Sequence, residues 1–387
     1  MKPGTRVDGA VSPLRVRAAN DAPIRRDATW VVYWMIAARR VTYNHALDRA
    51  VAWSRELGKP LLVLEPLRAG YPFACDRFHR FVAEGMADNA ARLRRERVRY
   101  YPYLEPEHGA GSGLLETIAE RACVVVTDEY PTFFLPRMIG AVAKRLGVRL
   151  EIVDGGGLVP LRATPGAFPT AYAFRRFLQK ALPDHLVGAP AANALDASLP
   201  EPPALPASWT SRWPEASLDD LESAIARLPI DHTIGPAPER GGTSAAEERL
   251  RAFVGERLDR YLERSHPDDE VASGLSGWLH FGHLSAHQVL GAIAERHDWT
   301  PARIAKRANG SREGWWNVSD AADAFLDELV TWRELGRVRC HHTSDYAKWE
   351  GLPAWARATL DEHASDPRPK IYTLEQLERA ETYDPVW

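Results

Sequence analysis

The sequence is short of cysteine and carries no excess of either charge. Its three cysteines, Cys75, Cys123 and Cys340, are far apart, odd in number and form no CxxC. That excludes a disulfide framework and a thiolate zinc site. It fits a reducing cytosol, so a cytoplasmic protein is expected. With 49 Lys and Arg against 52 Asp and Glu, the formal net charge is -3. Nothing pulls the whole chain toward nucleic acid or membrane, and a nucleic-acid partner needs a local basic face. No apolar run approaches membrane-spanning length. The opening MKPGTRVDGAVSPLRVRAANDAPIRRDA lacks the apolar core of a signal peptide. No GxGxxG or GxxxxGK[ST] follows a strand candidate, so neither a dinucleotide fingerprint nor a P-loop is supported.

What is present reads as an ordinary globular protein, at 45% apolar and 26% charged residues. A chain of 387 residues is too long for one ordinary core, so two domains are expected. Thirteen tryptophans stand out, many in the second half. A buried indole wants a partner for its N–H, so tryptophan is costly filler. Stacking or electron transfer are the functional readings, and plain packing serves for most.

Apolar, β-rich runs begin at TWVVYWM (29–35) and recur as KPLLVLEPL, YYPYLE, CVVVTDEY and RLEIVDGGGLVPL. Helical periods lie between them, the first ending on Gly58 as a C-cap. This alternation predicts a doubly wound α/β domain with a five-stranded parallel sheet over 29–162. Residues 1–28 read as a flexible segment. Residues 163–244, with the Ala/Pro-rich GAPAANALDASLPEPPALPASW, read as an interdomain linker with short helices. From 245 to 387 strand signals nearly vanish, which predicts an all-α domain. GGGLVPL reads more readily as a flexible strand exit than as a phosphate cradle.

Two stretches of the helical part carry chemistry. In LDELVTWRELG, Glu328 and Trp332 sit one turn apart and share a face with Phe325 and Leu329. That face is expected to be buried, as a core acid beside a core indole or as a substrate pocket. In SGLSGWLHFGHLS (273–285), Ser and Gly precede a helix, which makes either a ready anion site or an ordinary capped turn.

Together with Tyr261-Leu-Glu-Arg upstream, these stretches resemble the flavin-binding domain of the photolyase/cryptochrome family. GLSGWLHFGHLS looks like the family segment that wraps the FAD phosphates, with Gly277 where a proline is usual. Glu four residues before Trp-Arg-Glu resembles the class II cyclobutane pyrimidine dimer photolyases. So do RPKIYTLEQLERAETYDPVW, the YWM and RRVTYNHAL segments, VVTDEYPTFFLPR and AYAFRRFLQK. The resemblance implies a light-driven DNA repair lyase in which photoexcited, reduced FAD donates an electron to a flipped-out pyrimidine dimer. It implies that Tyr261 and Ser273, Gly274, Leu275, Ser276 and Gly277 hold the FAD phosphates and ribityl chain. Trp332 would wall the lesion, and Glu328 would hydrogen-bond a thymine carbonyl. Arg333 would serve the flavin or its phosphate network, or else an interhelix salt bridge.

The family continues beyond the segment ending at Trp387, so a C-terminally truncated flavin domain is expected. Trp387 matches one member of the family's electron-transfer chain. DNA contact is expected at Arg337, Arg339, His341 and His342, where a solvated basic turn is the competing reading. The α/β domain of this family often holds an antenna chromophore, a folate or a deazaflavin, and these residues do not choose between them. A monomer acting on damaged DNA is expected. The alternatives are a cryptochrome-like photosensor and a truncated, non-catalytic DNA- or nucleotide-binding homologue.

Overall fold

Strands form where β-branched and aromatic residues run together, and a computed structural model describes residues 11–195 and 198–386. The strands are β1 (Val16–Ala18), β2 (Trp30–Trp34), β3 (Leu61–Leu67), β4 (Val98–Leu104), β5 (Ala122–Asp128) and β6 (Leu150–Val153). They form one sheet in the order β1-β6-β5-β2-β3-β4. Every pairing from β6 to β4 is parallel, and all of β2 is buried, as expected of a central strand covered on both faces. The intervening helices are α1 (His45–Leu57), α2 (Asp76–Leu93), α3 (Leu114–Ala119) and α4 (Leu135–Ala143). In α1, Asn44 caps the start and Gly58 closes the end in the left-handed conformation.

The sheet has a sixth strand that the sequence reading placed in a flexible segment. β1 pairs antiparallel with β6, with Val16 opposite Val153. Arg15 locks it there, buried at 2% exposure. Its guanidinium donates to the carbonyls of Asp154, Gly157 and Leu158.

The Ala/Pro-rich stretch also differs from a free linker. Leu195 and Leu199 are buried in the core beside α1. Trp209 packs edge-on to Trp30 at 5.5 Å, and the buried Trp213 accepts from the Tyr101 hydroxyl. Before it, α5 (Ala171–His185) runs fifteen residues. Tryptophan and leucine in this stretch cover the sheet, which an average over its alanines and prolines conceals.

The chain divides between His342 and Thr343 into two compact units rather than at the Ala/Pro-rich stretch. The first holds the sheet and a helical body whose core joins Phe174, Phe253, Trp278, Trp299, Trp315, Trp316 and Phe325. The second, Thr343–Trp387, has helices Ala354–Glu362 and Leu374–Glu378, the latter opened by a Thr373–Gln376 capping box. None of its described residues is buried. Among the described residues, no helix is long and apolar enough to cross a membrane. Trp332, Trp349 and Trp355 are exposed, and the other nine described tryptophans are buried, so packing accounts for most of them.

Candidate functional site

Ser319 starts the site helix by capping it, its hydroxyl accepting from the Ala322 N–H at 3.3 Å. The helix runs Asp320–Leu326, widens into a π-helical turn over Asp327–Trp332, and continues as Arg333–His342. Such a turn carries one surplus residue and recurs at functional sites. Asp327 anchors it, buried at 3% and paired with both ends of the Arg175 fork at 2.7 and 2.8 Å.

The wide turn overturns the expectation of a buried face. Phe325, Leu329 and Val330 point into the core, but Trp332 is 52% exposed. The Glu328 side chain is 40% exposed. A strict α-helical period would keep Trp332 on the stripe of Phe325 and Leu329, and the π turn takes it off. Carboxylate and indole thus stand on an open wall. Glu328 accepts from Arg264 at 3.3 Å, and the Arg264 guanidinium lies 4.9 Å over the Tyr261 ring. Tyr261 is buried edge-on to Phe325 at 5.2 Å, and burial pushes its hydroxyl pKa up.

The segment 273–285 divides into an open half and a docked half. Leu275 is fully buried and pins the turn, while Gly274, Ser276 and Gly277 are exposed. The Ser273 carbonyl accepts from Arg249 Nε at 2.8 Å, and its hydroxyl from the Leu275 N–H at 3.4 Å. The helix that follows, Ser276–His280, is one short turn whose first N–H groups lack intrahelical partners. The docked half holds the helical body to the sheet. His283 is fully buried, stacks on Phe81 at 5.1 Å and accepts from the Gly242 N–H at 2.9 Å. Burial, then Arg39 and Arg40, lower its pKa to about 3, so the ring is neutral. At Gly282, φ is +80°, and a Cβ would collide with the Ala37 carbonyl after β2. Only glycine allows that approach.

The open half fits a flavin dinucleotide by its chemistry. Exposed backbone N–H groups and a serine hydroxyl, with Arg249 behind them, suit a pyrophosphate. Tyr261 and Glu328 lie together in one cluster. Arg333 lies elsewhere, lining a recess at the carboxyl edge of the sheet with Arg40, Arg337 and His280 and with no residue of 273–277.

The expected DNA contacts scatter. The Arg337 side chain is 13% exposed and reaches Asp154 at 3.4 Å. Arg339 and His341 are partly exposed. His342 is exposed, with its Nε2 2.8 Å from the Thr164 hydroxyl. Trp387 lies outside the described residues.

Three features were missed from the sequence. Arg264 follows Tyr261 by three residues, a helical spacing that was available as a signal. Asp327 finds Arg175 across 152 residues, which no local pattern reveals. Glu334, 2% exposed, accepts from the N–H groups of Leu158 and Val159 at 2.6 and 3.3 Å. That contact also recasts the glycine run after β6. A Cβ at Gly156 would fall inside the Arg337 guanidinium, and one at Gly157 would meet the Glu334 carboxylate at 2.8 Å. The run is a seat for a charged helix face.

No family model matches the chain. It is 29% identical over 375 residues to the deoxyribodipyrimidine photo-lyase of Methanothermobacter thermautotrophicus, covering 96% of this chain and 75% of that one. It is 30% identical over 393 residues to the enzyme of that name from Arabidopsis thaliana, covering 98% and 73%. The one from Oryza sativa subsp. japonica is 30% identical over 376 residues, covering 92% and 67%. Among solved structures, a bacterial class III photolyase from Agrobacterium tumefaciens shares the fold, with a TM-score of 0.59 at 20% identity. The match covers 83% of this chain and 61% of that one. These likenesses do not support the class II branch: the relatives' names carry no class, and the one class given is III. At such identity over nearly its whole length, the chain belongs to the deoxyribodipyrimidine photo-lyase family.

Proposed function

We propose that the chain is a light-dependent DNA repair lyase that splits cyclobutane pyrimidine dimers. One observation carries the reading: in a chain of this family, Glu328 and Trp332 stand open on one wall beside the Tyr261–Arg264 pair. FAD, when bound, reduced and photoexcited, supplies the electron that opens the ring. The chain's own residues do the rest. The 273–277 turn and Arg249 hold the pyrophosphate. Trp332 offers a flat apolar face to the flipped lesion, which is cheaper to unstack than an intact pair. Glu328 hydrogen-bonds a pyrimidine of the flipped lesion. Arg264 keeps that carboxyl in place until the lesion arrives. Backbone phosphates are met by Arg339, His341 and His342, so binding weakens with salt.

The α/β part has room for an antenna chromophore, a folate or a deazaflavin. A cavity of about 1010 Å³ opens beyond β3 and β4, lined by Tyr71, Phe73, Phe78, His108 and Ile230. We read the protein as a cytoplasmic monomer. Purified protein should carry flavin absorbance, and blue light should restore dimer-containing oligonucleotides. Stoichiometric flavin with no light-dependent repair would turn the reading to a photosensor. Absent flavin would turn it to a non-catalytic binder.

A further inference from the structure

The recess that holds Arg333 lies where the sheet changes direction. From β2 the chain adds β3 and β4 on one side, then crosses back to place β5 and β6 on the other. The exits of neighbouring β2 and β5 therefore diverge. Open α/β sheets bind ligands in that crevice, beyond the carboxyl ends of the strands. Here it has a cavity volume of about 30 Å³, which suits a small ion and not a ring system.

Its charges do not balance. Asp128 is occupied: it accepts from the N–H groups of Ile36, Ala37 and Ala38 at 2.9, 2.8 and 3.0 Å and from the Tyr33 hydroxyl at 2.8 Å. Glu129 is occupied by Arg17 at 3.1 Å and Arg162 at 2.5 Å. Arg337 reaches Asp154 at 3.4 Å, an acid it shares with Arg15 at 4.0 Å. Arg40 is 3% exposed, and among the described residues its guanidinium donates only to the neutral carbonyls of Tyr43 and Gly282. The Arg333 guanidinium has no hydrogen-bond partner among the described residues, and its Nη1 is buried. It sits one helical turn from Arg337, so like charges face each other. Burial first, then Arg337, lower its pKa to about 10, against the neighbouring Glu334 carboxylate, which raises it but is itself held by the Leu158 and Val159 N–H groups. A guanidinium whose buried Nη1 lacks an acceptor is costly unless an anion completes it.

We propose that this crevice binds a small oxyanion of the phosphate type, with Arg333 as principal ligand and Arg40 and Arg337 as supporting charges. The planar guanidinium fork suits phosphate oxygens. The site is separate from the turn at 273–277 and does not depend on flavin binding there.

The test is calorimetric titration of the purified full chain with inorganic phosphate at fixed ionic strength, before and after loading with FAD. Saturable binding at one site is expected in both states. Arg333→Gln should weaken it about ten-fold or more while melting no lower than wild type in chloride, because it removes a cation whose guanidinium has no hydrogen-bond acceptor. Arg333→Lys, which keeps charge but loses the fork, should fall between and serves if the glutamine variant does not fold. No saturable phosphate binding, or equal affinity in the variants, overturns the proposal. Loss of phosphate binding on FAD loading also overturns it, since the oxyanion would then be the flavin's own. If the chain takes no FAD, the phosphate titration still stands, so the two readings fail separately.

Discussion

Glu334→Ala should destabilise the protein by about 2–4 kcal/mol. The carboxylate accepts from Leu158 N–H at 2.6 Å and Val159 N–H at 3.3 Å, where the glycine run meets the helix Arg333–His342. Alanine leaves both donors buried and unpaired, at roughly 1–3 kcal/mol each. It also takes a negative charge from beside Arg333 and Arg337. Against this stands the burial cost of the carboxylate, which raises its own pKa and is recovered on removal. The net is therefore smaller than the sum of the lost bonds. Glutamine keeps one acceptor, so Glu334→Gln should cost about half as much. Urea unfolding followed by tryptophan fluorescence reads both, as a lower midpoint at unchanged slope. An alanine variant within about 0.5 kcal/mol of wild type would refute the reasoning, because the loop would then not depend on this acid.

Two other outcomes are expected. Trp332→Ala should weaken binding of dimer-containing DNA by about 1–3 kcal/mol, the usual worth of one stacked base, and undamaged DNA far less; equal losses would remove Trp332 from the lesion wall. Burial raises the Asp323 pKa from 3.8 to about 6. Its folded-state pKa lies above the unfolded value, so its charge destabilises the fold at pH 7, progressively less as pH falls through 6, and not at all once both states are protonated. Asp323→Asn, which keeps an acceptor for the Val318 N–H at 3.4 Å, should therefore stabilise at pH 7 and lose that gain below about pH 4. A gain independent of pH would contradict the assignment.

Local signals carried much of the fold. The β-branched runs became β2 to β6, and Gly58 closed α1 as its position promised. What stayed hidden depends on distant partners. β1 is three residues long and mostly outward-facing, and it exists because Arg15 reaches carbonyls about 140 positions away. Trp213 and Leu199 sit among alanines and prolines, and their burial follows from the sheet they cover. In the site, periodicity put Glu328 and Trp332 on one face but could not foresee a π turn that faces it outward. The 273–285 segment looked like one motif. Its Gly282 and His283 serve docking, while Ser276 and Gly277 stay open, a division set by Ala37 and Phe81 elsewhere in the chain.

The π turn at Asp327–Trp332 also sets the phase of everything after it. Excising a single residue there would restore the ordinary screw, turning the downstream helix by about 100° and drawing it back about 1.5 Å. Asp327 would keep Arg175, but Glu334 would swing from the Leu158 amide and Arg337 from Asp154. The surplus residue thus acts as a gear tooth. It lets one helix present an open wall on its first half and a sheet-facing charge array on its second, two faces that a uniform α-helix would hold at another angle.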